Sequence, residues 1–293
     1  MATAKNLPTT LTIAGSDSGA GAGIQADLLA IAANGAFGVS ATTALTAQNP
    51  AGVSGVHAIP ADFVREQISQ VAKFFKINSA KTGMLFCAEI VAVVADFFEK
   101  NPDVKFVLDP VMVATSGAKL LDNDAVSALR ECLIPRADLV TPNLDEAEVF
   151  LGEKFSWRRD NNVPRAIVAG DAERLADALG VPVLLKGGHG AGETVVDALA
   201  FPQQCRKNNA LSGGDNRAAT TRIFESPRQR DINTHGSGCT LSAAIAANLA
   251  FCGDKPVSRD LLSQCVCRAC DYVRRTMANP IRVAGENFIA HLW

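Results

Sequence analysis

Three short apolar runs, each ending in a charged or amide side chain, constrain this chain more than any other feature. Lys105-Phe106-Val107-Leu108 runs into Asp109, Ala137-Asp138-Leu139-Val140 into Thr141-Pro142-Asn143 and Glu146, and Val181-Pro182-Val183-Leu184-Leu185 into Lys186. A continuous apolar run of this length reads as a strand covered on both faces, the condition of a parallel sheet between helix layers. Helical segments separate the runs, at Asp122–Cys132, Asp145–Leu151 and Asp171–Leu179. The alternation predicts an α/β fold with a mostly parallel central sheet flanked by helices on both faces. In such sheets ligands gather beyond the carboxyl ends of the strands. Asp109, Asn143, Glu146 and Lys186 all fall at those ends.

The first part of the chain continues the pattern. Leu11–Ala14 is a short apolar strand that empties into the small-residue stretch Gly15–Gly23, then a helix carrying Ile24, Asp27, Leu28 and Leu29. Neither G-x-G-x-x-G nor the Walker spacing is present, so a nicotinamide dinucleotide site is rejected. The stretch is either a flexible connection or a wall of small residues against a flat substrate, with Asp17 or Asp27 as a polar handle. Gly38–Ala47 reads as another strand, ending in Gln48-Asn49-Pro50. Gln48 is either a loop residue or, having both a donor and an acceptor, a reader of one heterocycle edge. Helices are expected at Ala61–Lys76 and Ala88–Lys100, with a strand at Asn78–Thr82 and a turn at Gly83-Met84.

Near the carboxyl end, Thr234-His235-Gly236-Ser237-Gly238-Cys239-Thr240 opens directly into the Ala- and Leu-rich stretch Leu241–Leu249. That stretch lacks Gly and Pro and is expected to be helical. The amides that precede a helix, with the positive end of its dipole, make a seat for an anion. Cys239 at this position is expected to have its thiolate favoured. The alternative is an ordinary helix start with two flexible glycines.

These residue types suit phosphoryl transfer. Carboxylates and an amide are hard oxygen ligands for Mg²⁺, directly or through water. Lys186 and glycine amides can hold phosphate, and the reaction asks mainly for positioning and charge neutralisation. The alternatives are a strand-end cap for Asp109 and a helix N-terminus for Asn143–Glu146.

Taken together, Ala14–Gly19, Ala20–Asp27, Thr43–Gln48, Lys81-Thr82-Gly83-Met84, Asp109–Met112, Thr141-Pro142-Asn143 with Glu146, Lys186–His189 and His235–Thr240 resemble a known family. It is that of the hydroxymethylpyrimidine/phosphomethylpyrimidine kinases of thiamine biosynthesis, within the ribokinase-like superfamily. The likeness runs in order from Leu11 to Trp293. It implies one ribokinase-like domain in which a single site phosphorylates the hydroxymethyl group and then the monophosphate, using ATP and Mg²⁺. By the same resemblance Gln48 hydrogen-bonds the aminopyrimidine edge, and Gly15, Asp27, Met84 and Val111 line the ring pocket. Asp109 and Glu146 organise Mg²⁺, Asn143, Lys186 and Gly188 handle ATP, and Gly236, Ser237 and Gly238 form the anion hole. Cys239 stands where sugar kinases of the superfamily have an Asp base, as base or as substrate-orienting residue. Ser237 departs from the family's usual Thr but keeps the hydroxyl. Pyridoxal kinase is the nearest rival, since its ring has a similar shape and also presents a hydroxymethyl group. A pyrimidine- or nucleotide-binding sensor without catalysis is the other.

Bulk composition excludes several classes. At 293 residues and net charge -2, without a basic block, nothing points to nucleic acid or an anionic membrane surface. Met1–Thr10 lacks a signal-peptide core and is expected to be a flexible arm before a domain over 11–293, in a cytoplasmic homodimer. The eight cysteines are expected to be free thiols. Cys265-Val-Cys267-Arg-Ala-Cys270 lies in a helical pattern over Arg259–Met277 and reads as a packed face rather than a metal site. Polar, irregular stretches at 155–164 and 203–222 read as loop insertions clear of the motifs, the second inside a hairpin.

Overall fold

A computed structural model describes residues 6–112, 123–203, 221–254 and 256–291. Asp122, Cys205, nearly all of the loop over 203–222, and Trp293 lie outside the described residues. A nine-stranded sheet forms the centre, in the order β3-β2-β1-β4-β5-β6-β7-β8-β9. Its strands are β1 (Thr9–Asp17), β2 (Phe37–Asn49), β3 (Gly52–Ala58), β4 (Ile77–Thr82), β5 (Lys105–Leu108), β6 (Leu139–Val140), β7 (Val183–Leu185), β8 (Thr194–Ala200) and β9 (Thr221–Pro227). Pairing is parallel from β2 through β7, and antiparallel for β2–β3, β7–β8 and β8–β9. The hairpin expected around 203–222 is thus the β8–β9 pair. A small antiparallel pair, β10 (Ile281–Val283) and β11 (Glu286–Phe288), lies apart.

The apolar runs are continuous because consecutive side chains enter two different cores. Phe106, Leu108, Val140, Val183 and Leu185 join one cluster; Val107, Leu139 and Leu184 join the other. Fully burying such a side chain is worth about 1.5–3 kcal/mol, so both faces hold the sheet. The first cluster lies under α2 (Ala61–Phe74), α3 (Ala88–Lys100), α4 (Asn123–Ala128), α5 (Leu144–Leu151) and α6 (Arg165–Leu179). The second lies under α1 (Gly23–Ala33), α7 (Ser237–Ala250) and α8 (Arg259–Ala278). Every residue of α7 from Thr240 to Ala250 is buried, as befits a small-residue helix packed between α1, α8 and strands β1, β4 and β5.

Several boundaries differ from expectation. β1 begins at Thr9 rather than after a flexible arm to residue 10: Thr9 and Thr10 are buried, and the Thr9 amide donates to Asn78 Oδ1 at 3.0 Å. It also runs on through Gly15-Ser16-Asp17, expected as loop, because β2 pairs with it as far as Asp17. The helix expected over Asp122–Cys132 is α-helical only to Ala128, then widens over Leu129–Leu133 and tightens over Ile134–Arg136. Pro135 supplies no amide to continue the ladder there. α6 starts six residues early, at Arg165 directly after Pro164, a favourable place for a helix to begin. The irregular stretch over 155–164 is exposed along much of its length but anchored by two aromatic residues. Phe155 and Trp157 are buried with rings stacked at 5.3 Å, and Trp157 Nε1 donates to Asp171 Oδ2 at 2.6 Å. The seven described thiols are free, and Cys265 is buried on α8, so the packed-face reading holds there.

Candidate active site

Strand order reverses beside β1, whose chain successors β2 and β4 lie on opposite sides of it. That switch point opens a crevice beyond the strand ends. β1, β4, β5, β6 and β7 deliver Asp17, Gly83-Met84, Asp109, Asn143 and Lys186 to this rim.

Lys186 and Asp109 form the centre. Lys186 Nζ donates to Asp109 Oδ1 at 2.8 Å, Thr141 Oγ1 donates to the same oxygen at 3.1 Å, and Ser242 Oγ donates to Oδ2 at 3.1 Å. Burial works against charge on both partners. Even so, Lys186 holds the Asp109 carboxyl below its usual range, and Asp109 and Glu146 hold the ammonium of Lys186 above its own. Asp109 is therefore an ionised partner of a lysine, not merely a strand-end cap.

Asn143 and Glu146 do form a helix start. The Glu146 amide donates to Asn143 Oδ1 at 2.9 Å, and the Asn143 amide donates back to Glu146 Oε2 at 2.8 Å, a complete capping box on α5. The arrangement also leaves Glu146 buried beside Asp109. Burial first, then the Asp109 charge, push its carboxyl up to about 8, although Lys186 pulls it down.

Across the crevice stands the start of α7. Thr240 makes the first intrahelical bond, to the Gly236 carbonyl at 2.8 Å, and the Ser237 amide donates to Thr234 O at 3.1 Å. The amides of Gly238 and Cys239 precede that first bond and have no intrahelical acceptor. Gly236 has φ of +80°, and a Cβ there would sit 1.8 Å from the Gly21 carbonyl oxygen. A Cβ on Gly238 would sit 3.1 Å from Lys186 Nζ, which sets this turn of the helix start against the ammonium.

Cys239 departs from expectation. It is half-buried, and although the Lys81 charge and a hydrogen bond from the Gly23 amide favour the thiolate, burial, Asp27 and Asp109 push the thiol up to about 11. The helix start does not outweigh that desolvation. Asp27 departs as well. Its side chain is fully buried, receiving Lys81 Nζ at 2.8 and 2.9 Å and Thr12 Oγ1 at 2.6 Å. Burial pushes the Asp27 carboxyl up and opposes the Lys81 charge, but the two-pronged contact, with Asp27 raising Lys81 above its usual range, is that of an ion pair. Asp27 thus supports the crevice floor from below rather than lining it.

The remaining candidates cluster at the β1–β2 side. A Cβ on Gly15 would meet Met84 Cε at 3.0 Å, and Thr43 Oγ1 donates to the Met84 carbonyl at 2.6 Å. The Val111 amide donates to Asp109 O at 2.9 Å. The Gln48 carboxamide lies 3.0 Å from His235 Nε2, itself 3.0 Å from Asp17 Oδ2. On the other side, Gly188 is set in a turn whose carbonyls at Gly188, Gly190 and Gly192 all accept from the Arg228 guanidinium at 2.7–2.8 Å. The Ala191 amide donates to Arg158 O, and His189 Nδ1 lies 2.7 Å from Asp145 Oδ2. The 155–164 stretch is therefore not clear of the motifs: it packs under the turn that carries Gly188.

Sequence reasoning missed Lys81, Ser242 and the His235–Asp17 contact. The signal for Lys81 was present: a lysine inside the strand pattern Ala80-Lys81-Thr82 has to meet a carboxylate if the strand is buried on both faces. Nothing local marked Ser242 among the small residues of α7.

A mostly parallel sheet with a glycine-rich helix start set against a lysine–carboxylate centre belongs to a class, the ribokinase-like small-molecule kinases. The model of the phosphomethylpyrimidine kinase family matches residues 17–290. The chain belongs to that family. It is 40% identical over 288 residues to the hydroxymethylpyrimidine/phosphomethylpyrimidine kinase of Haemophilus influenzae, covering 98% of this chain and 97% of the relative. Among solved structures, the phosphomethylpyrimidine kinase of Clostridium difficile 630 is 34% identical, with TM-score 0.68, covering 92% of this chain and 98% of that one. An ADP complex of Bacillus subtilis pyridoxal kinase is 28% identical, with TM-score 0.75, covering 97% and 98%.

Proposed function

We propose that this protein transfers the terminal phosphoryl group of ATP to 4-amino-5-hydroxymethyl-2-methylpyrimidine, and then to the resulting monophosphate, for thiamine biosynthesis. The observation that carries the reading is that the Lys186–Asp109 pair lies against the glycine start of α7, Lys186 Nζ being 3.1 Å from where a Cβ on Gly238 would stand. A phosphoryl group between them meets a cation on one side and a helix start on the other. One well-aimed donor at such a position is worth about 10²–10³-fold in rate.

ATP binding is assigned to Asn143, Lys186 and the Gly188 turn, with Lys186 bridging toward the group in transfer. The ring is assigned to the pocket of Gly15, Met84 and Val111, read at its edge by Gln48. Cys239, a thiol in the free enzyme, orients the alcohol beside Ser237. Mg²⁺ fits the residues present. Among the described residues no cluster of three or more ligating side chains exists, but Asp109 and Glu146 offer the one or two hard carboxylates that Mg²⁺ takes alongside waters and phosphates. Glu146, held up to about 8 by burial and by Asp109, is a carboxylate short of a cation. When bound, the ion would neutralise phosphate charge; Lys186 and the α7 amides do the same from the protein side.

A homodimer completes the reading. β3 is an edge strand with one side of its backbone unpaired, and its Val56 is 39% exposed, a place where a second copy can add to the sheet. Sedimentation should give twice the chain mass, and Val56→Lys should shift it toward one chain; a monomeric parent refutes the dimer.

A coupled ADP-release assay with the pyrimidine alcohol, its monophosphate and pyridoxal tests the main reading. Turnover of the first two, well above pyridoxal, is expected. Turnover of pyridoxal alone would overturn it in favour of the other kinases that share this fold. No helix among the described residues is long and apolar enough to cross a membrane.

A further inference from the structure

Gln48 is held at three points before any ring arrives. Its amide donates to Ser18 Oγ at 2.8 Å, its carbonyl accepts from that hydroxyl at 2.7 Å, and its carboxamide lies between Thr46 and His235. Two proton counts fix which way that carboxamide must point. Thr46 Oγ1 has one hydrogen, and the Ser16 carbonyl 2.9 Å away can only accept it. Thr46 can then only accept from Gln48, so the carboxamide atom 3.2 Å from it, placed as Oε1, is assigned instead as the amide nitrogen. On the other side, His235 Nε2 lies 3.0 Å from Asp17 Oδ2. Asp17 also takes the Gly19 and Ala22 amides at 2.8 Å each. Burial pushes its carboxyl up, but the His235 contact and those amides together hold it below the usual range. An ionised Asp17 needs a hydrogen on Nε2, and a protonated Nε2 can only meet an oxygen of Gln48. Both counts agree, which is how an amide's orientation is assigned when hydrogens are not seen.

We propose that Asp17, His235 and Thr46 act as positioning residues that lock the Gln48 carboxamide with its oxygen toward His235 and its nitrogen toward Thr46, and so select the donor–acceptor pattern of the ring. This rests on Gln48 reading the pyrimidine edge. In the locked orientation one N–H, after Thr46 is served, remains for a ring nitrogen, and the oxygen keeps a second lone pair for an exocyclic amine. A 4-oxo ring presents the opposite pattern, an N–H where the acceptor was and a carbonyl where the amine was. The lock therefore favours the 4-amino ring over its 4-oxo counterpart.

Asp17→Asn removes the demand for a hydrogen on Nε2. His235 can then leave Nε2 without a hydrogen and accept there from either the introduced side-chain amide or Gln48, so the Gln48 carboxamide is free to turn. Thr46→Val removes the hydroxyl pin at the other end. The experiment measures kcat and KM for the 4-amino and 4-oxo pyrimidine alcohols, and KM for ATP, in the parent and in both variants. A misdirected hydrogen bond costs about ten- to a hundredfold in affinity, so the ratio of KM values should narrow by at least about tenfold in Asp17→Asn. Thr46→Val should narrow it in the same direction, with KM for ATP within about threefold of the parent. A purely structural role would move both ring KM values together and leave their ratio untouched, and an unchanged ratio in both variants overturns the proposal. Should Asp17→Asn fail to fold, the ratio in Thr46→Val decides alone. A parent that phosphorylates neither pyrimidine but turns over pyridoxal would refute the ring assignment itself, a separate outcome.

Discussion

Cys239 shows how burial can reverse a charge argument. The amides at the start of α7 favour a thiolate, yet burial, and with it the Asp27 and Asp109 carboxylates, push the thiol up to about 11. At pH 7.5 roughly one molecule in a thousand or fewer then carries the thiolate in the free enzyme. Two outcomes are expected. Iodoacetamide labelling of Cys239 should keep rising about tenfold per pH unit up to pH 9, and a plateau below pH 8 would contradict the burial argument. Cys239→Ser should lose less than about tenfold in turnover, since a hydroxyl orients an alcohol as a thiol does. A loss beyond about 10²-fold would mean that substrate or Mg²⁺ binding converts the thiol into a working base.

At the scale of an element, the start of α7 separates two glycines with different duties. Gly236 has φ of +80° and backs onto the Gly21 carbonyl at 1.8 Å from a hypothetical Cβ. Gly236→Ala should therefore strain the backbone by about 1–3 kcal/mol or more and lower the melting temperature measurably. Gly238 has only the flexible end of Lys186 within 3.1 Å of the same position. Gly238→Val should leave the protein folded, by circular dichroism and melting temperature, while turnover falls by about 10²-fold or more as the side chain fills the phosphoryl seat. A folded Gly238→Val enzyme with normal turnover would remove α7 from the mechanism.

Across the whole molecule, buried charge sets how stability answers to pH and mutation. Glu146 releases its proton near its ordinary value of 4.5 when unfolded, but near 8 when folded, and Asp197 is likewise raised, from 3.8 to about 6, by burial. The folded state then binds more protons than the unfolded one across that window, so stability should fall as pH rises from about 5 to 8. Urea midpoints at the two ends measure this, and Glu146→Gln should flatten most of the slope. ATP with Mg²⁺ should restore stability at pH 8 in the parent alone. The Lys81–Asp27 pair makes a second test, since both side chains are fully buried. Lys81→Met alone strands a buried carboxylate and should cost about 3–5 kcal/mol, whereas Lys81→Met with Asp27→Leu should recover most of that loss. Equal losses in the two variants would mean that the site is governed by packing rather than charge.

What the amino-acid sequence determines by itself is whatever can be stated along one strand or one helix. The runs ending at Asp109, Asn143 and Lys186 prescribe buried parallel strands, and their two-sided burial into separate cores bears this out. The bounds of β5 and α3 are those the pattern predicts: β5 is apolar up to Leu108, where Asp109 ends the run, and α3 stops at Lys100, just before Asn101-Pro102. The capping box of Asn143 and Glu146 is a three-residue interaction, legible without a fold. Only tertiary structure decided which charges face which. Nothing near Asp27 in sequence announces Lys81, 54 positions away, and that contact turns an expected pocket residue into a buried support. The same holds for Asp17 and His235, 218 positions apart, and for the carboxylates that hold Cys239 as a thiol. A helix dipole and a glycine turn are local properties, but the free energy of a charge depends on every group within a few ångströms and on how much water has been excluded, and only the packed sheet and its helices fix those.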